Sequence, residues 1–184
     1  PETVTVVVGC LAQTGDAEKL AEADVVVGSK HKRDVPRFVD DFLMNGKRVV
    51  AVGDMTFESD FEPMRTDRGE RTRAQIKIQD GCNNFCSYCI IPYARGRIRS
   101  KDIDEAYEEA VSIVKNGYKE IVLTGIHLDS YGKEHGRFDL CDLLERMDTI
   151  KGLERVRLGS LEPIFINDKN VERLKNLRTL CPHF

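Results

Sequence analysis

Three cysteines within eight residues constrain this chain more than any other feature of its sequence. Cys82, Cys86 and Cys89 are separated by three and then two residues. A loop with this spacing brings three thiolates onto one small inorganic centre without help from distant parts of the chain. The stretch lacks the two Cys-x2-Cys pairs of a zinc ribbon, and no fourth cysteine or histidine follows nearby. The pattern therefore predicts a metal site.

Iron and sulfur suit this ligand set better than zinc. A 4Fe-4S cluster normally takes four thiolates, one for each iron. Three thiolates leave one iron with an open coordination position, which a reactive metal site needs and a structural site avoids. The residues alone leave two alternatives open: a zinc site completed by a remote histidine or cysteine, and buried thiols that bind no metal.

The cysteine motif, with the aromatic Tyr88 directly before its last cysteine, resembles the signature of the radical S-adenosylmethionine (SAM) superfamily. Residues 81–96, followed by Arg99-Ser100, resemble the methylthiotransferases of that superfamily more narrowly. Within that group, residues 123–132 and 160–163 are most similar to the enzymes that methylthiolate N6-threonylcarbamoyladenosine in tRNA. The resemblance runs through most of the chain.

This resemblance implies a radical enzyme and its cofactors. Cys82, Cys86 and Cys89 would bind a 4Fe-4S cluster whose open iron is chelated by SAM, and an electron from the cluster would cleave SAM to a 5′-deoxyadenosyl radical. The family also implies cofactor contacts at four further positions, which are Tyr88, Gly125, Ser160 and Glu162.

Each of these four positions has an expected role. By the resemblance, Tyr88 contacts the adenine of SAM, the backbone at Gly125 binds the SAM amino group, and Ser160 and Glu162 hold its ribose or methionine part. Simpler explanations exist: Tyr88 could support the loop through hydrophobic contacts, Gly125 could be an ordinary turn, and Glu162 could form a local salt bridge.

A separate cysteine belongs to a second part of the resemblance. Residues 9–13, which contain Cys10, resemble the last of three cysteines that bind an auxiliary 4Fe-4S cluster in methylthiotransferases. The other two cysteines would precede Pro1. We therefore expect the chain to be an excerpt that lacks both ends of a longer protein, with Cys10 an auxiliary-cluster ligand in that parent.

Composition places the chain among ordinary globular proteins, with 41% hydrophobic and 32% charged residues. It contains no apolar stretch approaching the roughly 20 residues of a membrane span and no signal-peptide pattern. Cysteines crowded into one loop favour metal binding in a reducing compartment, so we expect a cytoplasmic protein. A net charge of −3 does not announce a nucleic-acid partner, and any tRNA contact must therefore be local or lie in parts outside this chain.

The alternation of strands and helices predicts an α/β protein with two domains. We expect a truncated doubly wound α/β N-terminal domain over residues 1–52, a linker over 53–72, and an incomplete radical SAM partial β/α barrel over 73–184. Strands are predicted at residues 4–8, 25–27, 73–79, 121–124 and 155–158, the first of them as a buried parallel strand. Helices are predicted at residues 16–23, 35–44, from 102 to about 115, 140–147 and 168–177. The apolar stripe of the second helix includes Leu43, and the third helix is predicted to be capped at Asp102 and to end at Asn116-Gly117.

Polar residues alternate with apolar ones in two predicted strands. Gln75, Lys77 and Gln79 do so in one strand, and Arg155 and Arg157 in another. Either these are edge strands in water, or one sheet face lines a barrel lumen that holds a charged cofactor, which is the arrangement the resemblance implies. A separate cationic stretch, Arg95, Arg97 and Arg99, could clamp a carboxylate or phosphate or could face solvent.

The function predicted from these residues is radical SAM-dependent methylthiolation of N6-threonylcarbamoyladenosine beside the anticodon, with tRNA, SAM and a reducing electron donor as partners. In the family, one SAM supplies a methyl group to sulfur at the auxiliary cluster, and a second SAM gives the radical. Isopentenyl-adenosine in tRNA and a ribosomal-protein aspartate are alternative substrates. A non-catalytic iron–sulfur or zinc protein is the alternative of a different class.

Overall fold

The computed structural model describes residues 3–15, 20–58, 60–62 and 72–183. In this part of the chain there are two three-stranded parallel sheets and one short antiparallel pair, so the protein is α/β. The strands are β1 Val6–Val8, β2 Val25–Val27, β3 Val49–Ala51, β4 Ala74–Lys77, β5 Gln79–Asp80, β6 Arg99–Ser100, β7 Glu120–Thr124 and β8 Arg155–Leu158. The helices are α1 Cys10–Thr14, α2 Val35–Asn45, α3 Ile91–Arg95, α4 Ile103–Lys115, α5 Leu140–Asp148 and α6 Asp168–Leu174.

The chain divides into two compact units. The first unit consists of the described residues up to Glu58 together with Cys82–Arg97, which carries the three-cysteine loop. The second unit consists of the described residues from 60 to Gly81 together with those from Ile98 onward. The cysteine loop, which we expected within the second domain, is therefore grouped with the first unit.

The first unit is built on the parallel sheet β1-β2-β3, which carries a helix on each face. Ala12 of α1 packs on the face that presents Val26. Phe42 of α2 packs on the opposite face, which presents Val25 and Val27. Since successive strand residues point to opposite faces, the apolar run of β2 is buried on both sides.

Several predictions for the first unit are confirmed, and others are wrong. The strand at 25–27 and the helix at 35–44 are present, but Leu43, which was expected on the buried stripe, is 59% exposed. Val8 at the end of β1 is also exposed, although a buried strand was expected. Neither α1 nor β3 was predicted. Half of the helix predicted at 16–23 lies outside the described residues, and residues 20–22 form a turn.

The carboxyl ends of the three strands in the first unit are tied together by one side chain. Gln13, on α1, donates from Nε2 to the carbonyl of Gly53 at 2.7 Å and accepts at Oε1 from the N–H of Ser29 at 2.8 Å. A Cβ on Gly28 would lie 2.3 Å from that same Oε1, so a larger residue there would displace the Gln13 amide. This contact fixes α1, and with it Cys10, at the carboxyl edge of the sheet.

The second unit is built on the parallel sheet β4-β7-β8. Helices α4 and α5 both pack on one face of this sheet, where Ile76, Leu123 and Val156 belong to a single buried core. The predicted strands at 121–124 and 155–158 and the predicted helix starts are confirmed. Asp102 caps α4 by accepting from the N–H of Asp104 at 2.8 Å. Helix α6 ends three residues earlier than predicted, at Leu174.

The opposite face of this sheet is polar, and its charges pair with one another. Arg155 and Arg157 each donate from Nε to Glu120 on the neighbouring strand at 2.7 Å. These two hydrogen bonds hold the pKa of Glu120 below its ordinary value. Strand β8 is also bridged in parallel by Leu180, so a further segment runs beside it.

No helix in the described ranges combines the length and the apolar character needed to cross a membrane.

Candidate functional site

The cysteine loop is an excursion from an antiparallel strand pair. It leaves β5 after Asp80 and returns at Arg99 of β6, and these two residues are register partners. The N–H of Cys82 donates to the carbonyl of Gly96 at 3.1 Å, which closes the base of the loop. Gly81 and Gly96 both have a positive φ, of 73° and 75°, a region that glycine enters without steric strain. The sequence thus places a glycine at each end of the loop.

The three thiols differ in their surroundings. Cys82 is 9% exposed, Cys89 is half-buried and Cys86 is exposed, and none is in a disulfide. The N–H of Cys89 donates to the carbonyl of Cys86 at 2.9 Å, so these two cysteines flank a turn. The N–H of Asn84 points at the sulfur of Cys82 at 3.5 Å. Backbone donors of this kind orient cysteine ligands and tune an iron–sulfur cluster.

The three thiols are soft donors on one loop, and thiolates of this kind bind iron–sulfur clusters. Zinc would need its thiolates at about 2.3 Å from one centre. In a 4Fe-4S cluster each thiolate binds a different iron, so the ligands stand further apart. The soft thiolate donor set of one loop fits that larger group.

Tyr88 lies on the same loop and is 91% exposed. A ring that supported the loop by hydrophobic contact would be largely buried. Its exposure therefore argues against that simpler explanation and leaves the ring available to a ligand such as an adenine base.

Each arginine of the cationic stretch at 95–99 has a different partner. Arg95 donates from Nε to the sulfur of Cys10 at 3.1 Å. Arg97 lies over the ring of Phe85, 4.9 Å from its centroid. Arg99 is 5% exposed, with its guanidinium 3.7 Å from the carboxylate of Asp80. The three arginines therefore do not converge on one shared anion site, and they do not all face solvent.

The contact between Arg95 and Cys10 brings the isolated cysteine of the first unit to the cysteine loop. Cys10 opens α1 directly after β1, where Gly9 has a φ of 99°. The two contacting residues are 85 positions apart in the sequence. No periodicity or local motif relates them, and sequence reasoning therefore missed their proximity.

In the second unit, Gln79 makes four hydrogen bonds although it is fully buried. Its Oε1 accepts from the N–H groups of Ile126 and His127 at 2.9 and 2.8 Å. Its Nε2 donates to the carbonyls of Asp80 and Gly81 at 2.9 and 2.7 Å. This amide joins the segment that leads into the cysteine loop to the loop that follows β7.

Gly125 begins that second loop, and the structure shows why a glycine is needed. A Cβ at this position would lie 2.9 Å from both Gln79 Oε1 and Leu128 Cδ2. The backbone at Gly125 therefore lies close to side chains of the protein itself. Binding of SAM by the backbone at Gly125 stays a prediction.

Ser160 and Glu162 follow β8, beside the loop that carries Gly125. The N–H of Leu128 donates to the carbonyl of Ser160 at 3.0 Å, which ties the two loops together. His127 Nε2 lies 3.0 Å from Glu162 Oε1 and 2.9 Å from Asp129 Oδ1. Glu162 therefore lies beside His127, a local partner of the kind that the simpler explanation, a salt bridge, requires. Its side chain is nonetheless 48% exposed.

The predicted SAM contacts of the second unit are therefore brought to one edge of its sheet, on the two loops after β7 and β8. His127, whose role the sequence left unassigned, belongs to the same group. Gln79 was recognised only as a polar residue of an alternating strand. The signal that could have identified it is a long amide side chain two positions before the glycine that opens a cysteine loop.

Comparison with known proteins shows related sequences along the whole chain. A sequence profile of the Radical SAM superfamily matches residues 76–182. The chain is 39% identical over 190 residues to the threonylcarbamoyladenosine tRNA methylthiotransferase MtaB of Bacillus subtilis (strain 168), a match that covers 100% of this chain and 42% of that protein. It is 39% identical over 180 residues to the MtaB of Thermotoga maritima, covering 97% of this chain and 41% of that protein.

A relative with a different name is nearly as similar. The tRNA-2-methylthio-N(6)-dimethylallyladenosine synthase of Clostridium tetani is 34% identical over 187 residues, covering 100% of this chain and 45% of that protein. The chain thus spans less than half of the length of these curated relatives.

Proposed function

Because this chain belongs to the radical SAM superfamily, we propose that it is part of a tRNA methylthiotransferase that converts N6-threonylcarbamoyladenosine beside the anticodon to its 2-methylthio form. One observation carries the proposal: three thiols on a single loop, spaced as Cys-x3-Cys-x2-Cys, in a chain 39% identical over its whole length to a relative with that name. The proposed activity is that of the longer protein, and we infer it from this resemblance.

The cysteine loop holds the catalytic cofactor in this proposal. Cys82, Cys86 and Cys89 bind a 4Fe-4S cluster and leave one iron open for SAM. When bound, the cluster supplies the electron that cleaves SAM reductively, and an external donor of low potential restores that electron. The residues of this chain supply position and electrostatics, because the cofactors carry the chemistry.

The remaining residues orient SAM. In the proposal, the exposed ring of Tyr88 contacts the adenine, and the backbone at Gly125 accepts from the SAM amino group. Ser160 and Glu162 bind the ribose hydroxyls or the methionine part. Gln79 acts on one of these contacts indirectly, since it fixes the backbone of residues 126 and 127 directly after Gly125.

The auxiliary cluster belongs to the parent protein. Cys10 is one of its three proposed ligands, and the other two lie outside this chain. Arg95 places a guanidinium N–H on the sulfur of Cys10, and hydrogen bonds to ligand sulfurs are one of the means by which proteins set the potential of a cluster. When bound, that cluster would supply the sulfur for methylthiolation, and Cys10 would be one of the residues that hold it.

We also infer the finer architecture of the two units. The first unit, with helices on both faces of a parallel sheet, fits a truncated doubly wound domain. The second unit, with α4 and α5 on one face of its sheet and charges on the other, fits the first part of a partial β/α barrel with a polar lumen.

A second substrate has support of its own, because a dimethylallyladenosine synthase is 34% identical to the same chain. That enzyme name corresponds to isopentenyl-adenosine in tRNA. A ribosomal-protein aspartate and a non-catalytic iron–sulfur or zinc protein have no such relative among those compared above.

Nucleoside analysis decides between the two tRNA substrates. Total tRNA from a strain that lacks the full gene is digested and analysed by mass spectrometry. We expect the 2-methylthio form of threonylcarbamoyladenosine to disappear and its unmethylthiolated form to accumulate, while 2-methylthio-isopentenyladenosine persists.

The gene is then restored on a plasmid, either unchanged or with Cys86→Ala. The unchanged gene is expected to restore the missing nucleoside, and the variant is not. Loss of the isopentenyl form alone would assign the other substrate, and loss of neither would refute tRNA methylthiolation.

A further inference from the structure

We propose that Tyr93, braced by Phe85 and Arg97, is a stacking surface for an unpaired nucleobase of the RNA substrate next to the cysteine loop. We name these three residues the aromatic ledge. The proposal rests on the proposed function, since it identifies how the same loop recognises tRNA. It assigns a role to residues that neither the cluster nor SAM binding uses.

The rings of the ledge are held in place and yet remain open to solvent. Tyr93 is 63% exposed and Phe85 is 40% exposed. Their ring centroids are 5.6 Å apart, in an edge-to-face arrangement with an interplanar angle of 87°. The guanidinium carbon of Arg97 lies 4.9 Å from the Phe85 centroid, within the range of a cation–π contact. Phe85 thus contacts both the guanidinium of Arg97 and the ring of Tyr93.

The backbone supports the ring arrangement at an energetic cost. Phe85 has a φ of 48°, the left-handed region, and is the only non-glycine residue with positive φ in the described part of the chain. A bulky side chain in this region is an outlier that costs on the order of 1 kcal/mol or more. Such strain persists where the surrounding structure imposes it, and it clusters at ligand-binding sites. Here it presents a ring on the outside of a cofactor loop.

The position of Tyr93 is fixed by α3. The preceding residue, Pro92, is buried and stands at the beginning of the helix. The N–H of Tyr93 donates to the carbonyl of Ile90 at 3.1 Å. The helix ends at Arg95, and the N–H of the following Gly96 donates to the carbonyl of Pro92. A tyrosine on such a fixed turn loses little freedom on binding, which favours stacking on a flat partner.

Charge favours a nucleic acid as the occupant of the ledge. The segment from 81 to 98 contains two arginines and no aspartate or glutamate, in a chain whose net charge is −3. The side chains of Arg and the absence of Asp and Glu therefore give this segment a positive balance of Arg over acidic residues, where the aromatic rings are exposed. Sequence-specific RNA recognition uses unpaired bases that stack on aromatic side chains and arginine planes, with cationic groups near the backbone. An anticodon loop offers such bases beside the adenosine to be modified.

The test measures RNA affinity of the full-length protein after its clusters have been reconstituted. A labelled anticodon stem–loop is titrated by fluorescence anisotropy at constant salt, because salt alone changes such affinities strongly. We expect Tyr93→Ala to bind about tenfold more weakly, in line with the stacking energy of one base. Tyr93→Phe keeps the ring and is expected to bind within about twofold of the original protein.

Two controls assign the loss to a base. Phe57→Ala removes another aromatic ring of the first unit, one that is 89% exposed, and is expected to leave RNA affinity unchanged. An abasic site at the stacked nucleotide is expected to weaken binding of the original protein and to add little to the defect of Tyr93→Ala.

Three results would overturn the ledge. One is equal RNA affinity of Tyr93→Ala and the original protein. Another is that every abasic site weakens RNA binding by Tyr93→Ala as much as it weakens RNA binding by the original protein. The last is reduced iron and sulfide content in Tyr93→Ala, which would make the ring a support of the loop. Failure of the original protein to bind the stem–loop at all would instead refute the proposed function.

Discussion

Replacing Cys86 by alanine in the full-length protein is expected to abolish formation of 5′-deoxyadenosine from SAM under reducing conditions. Two thiolates cannot hold the cluster that three hold, and loss of even an outer-sphere partner costs about 10- to 100-fold in metal affinity. We therefore expect a decrease of more than about 100-fold in yield, together with loss of about one cluster's iron and sulfide per chain.

Cys86 is the most informative of the three cysteines to replace. Its side chain is exposed, whereas Cys82 is buried and accepts from a backbone N–H. A defect of Cys86→Ala therefore cannot be attributed to a lost core contact. Cys181→Ala removes a half-buried thiol that is expected to bind no cluster, and it should keep both the iron content and the yield. An undiminished yield in Cys86→Ala would refute the assignment of the loop.

Replacing Gln79 by leucine is expected to lower the free energy of unfolding by at least about 4 kcal/mol. The amide is fully buried and satisfies two N–H groups and two carbonyls of the backbone. A buried polar group that loses its partner costs about 1–3 kcal/mol, and leucine would remove one hydrogen bond from each of these four groups. Such a loss is a large share of the roughly 5–15 kcal/mol that stabilises a typical domain.

A matched control lies four positions earlier. Gln75→Leu makes the same chemical change on the exposed face of β4 and is expected to change stability by no more than about 0.5 kcal/mol. Urea denaturation followed by circular dichroism measures both variants. Equal stability of Gln79→Leu and Gln75→Leu would show that the four hydrogen bonds of Gln79 contribute nothing to the free energy of unfolding.

The parts of the fold that the sequence predicted are those in which burial follows a local period. Helix α5 carries Leu140, Leu143, Leu144 and Met147 on one stripe, and all four are buried. Helix α4, Ile103–Lys115, is flanked by the predicted cap residue Asp102 and by the predicted Asn116. In these elements the residues that decide the structure are neighbours on the chain, so a single sequence contains the signal.

The parts that could not be predicted depend on partners distant in sequence. The exposure of Leu43 follows from which side of α2 meets the sheet, and the helical stripe alone did not decide it. Cys10 and Arg95 meet across 85 positions. The sequence indicates only that Gln79 is a polar strand residue, because its hydrogen bonds to the backbone of residues 126 and 127 are visible only in the structure. The cysteine motif needed no such information, since its three ligands lie on one loop.

The measurement that tests the central claim most directly is the electron paramagnetic resonance spectrum of the reduced, reconstituted protein before and after addition of SAM. A cluster held by Cys82, Cys86 and Cys89 has one iron without a protein ligand, so we predict that SAM changes the spectrum of that cluster. The prediction includes loss of the SAM-dependent change in Cys86→Ala. A spectrum that SAM leaves unaltered, or a protein that contains one zinc and no iron per chain, would contradict the account.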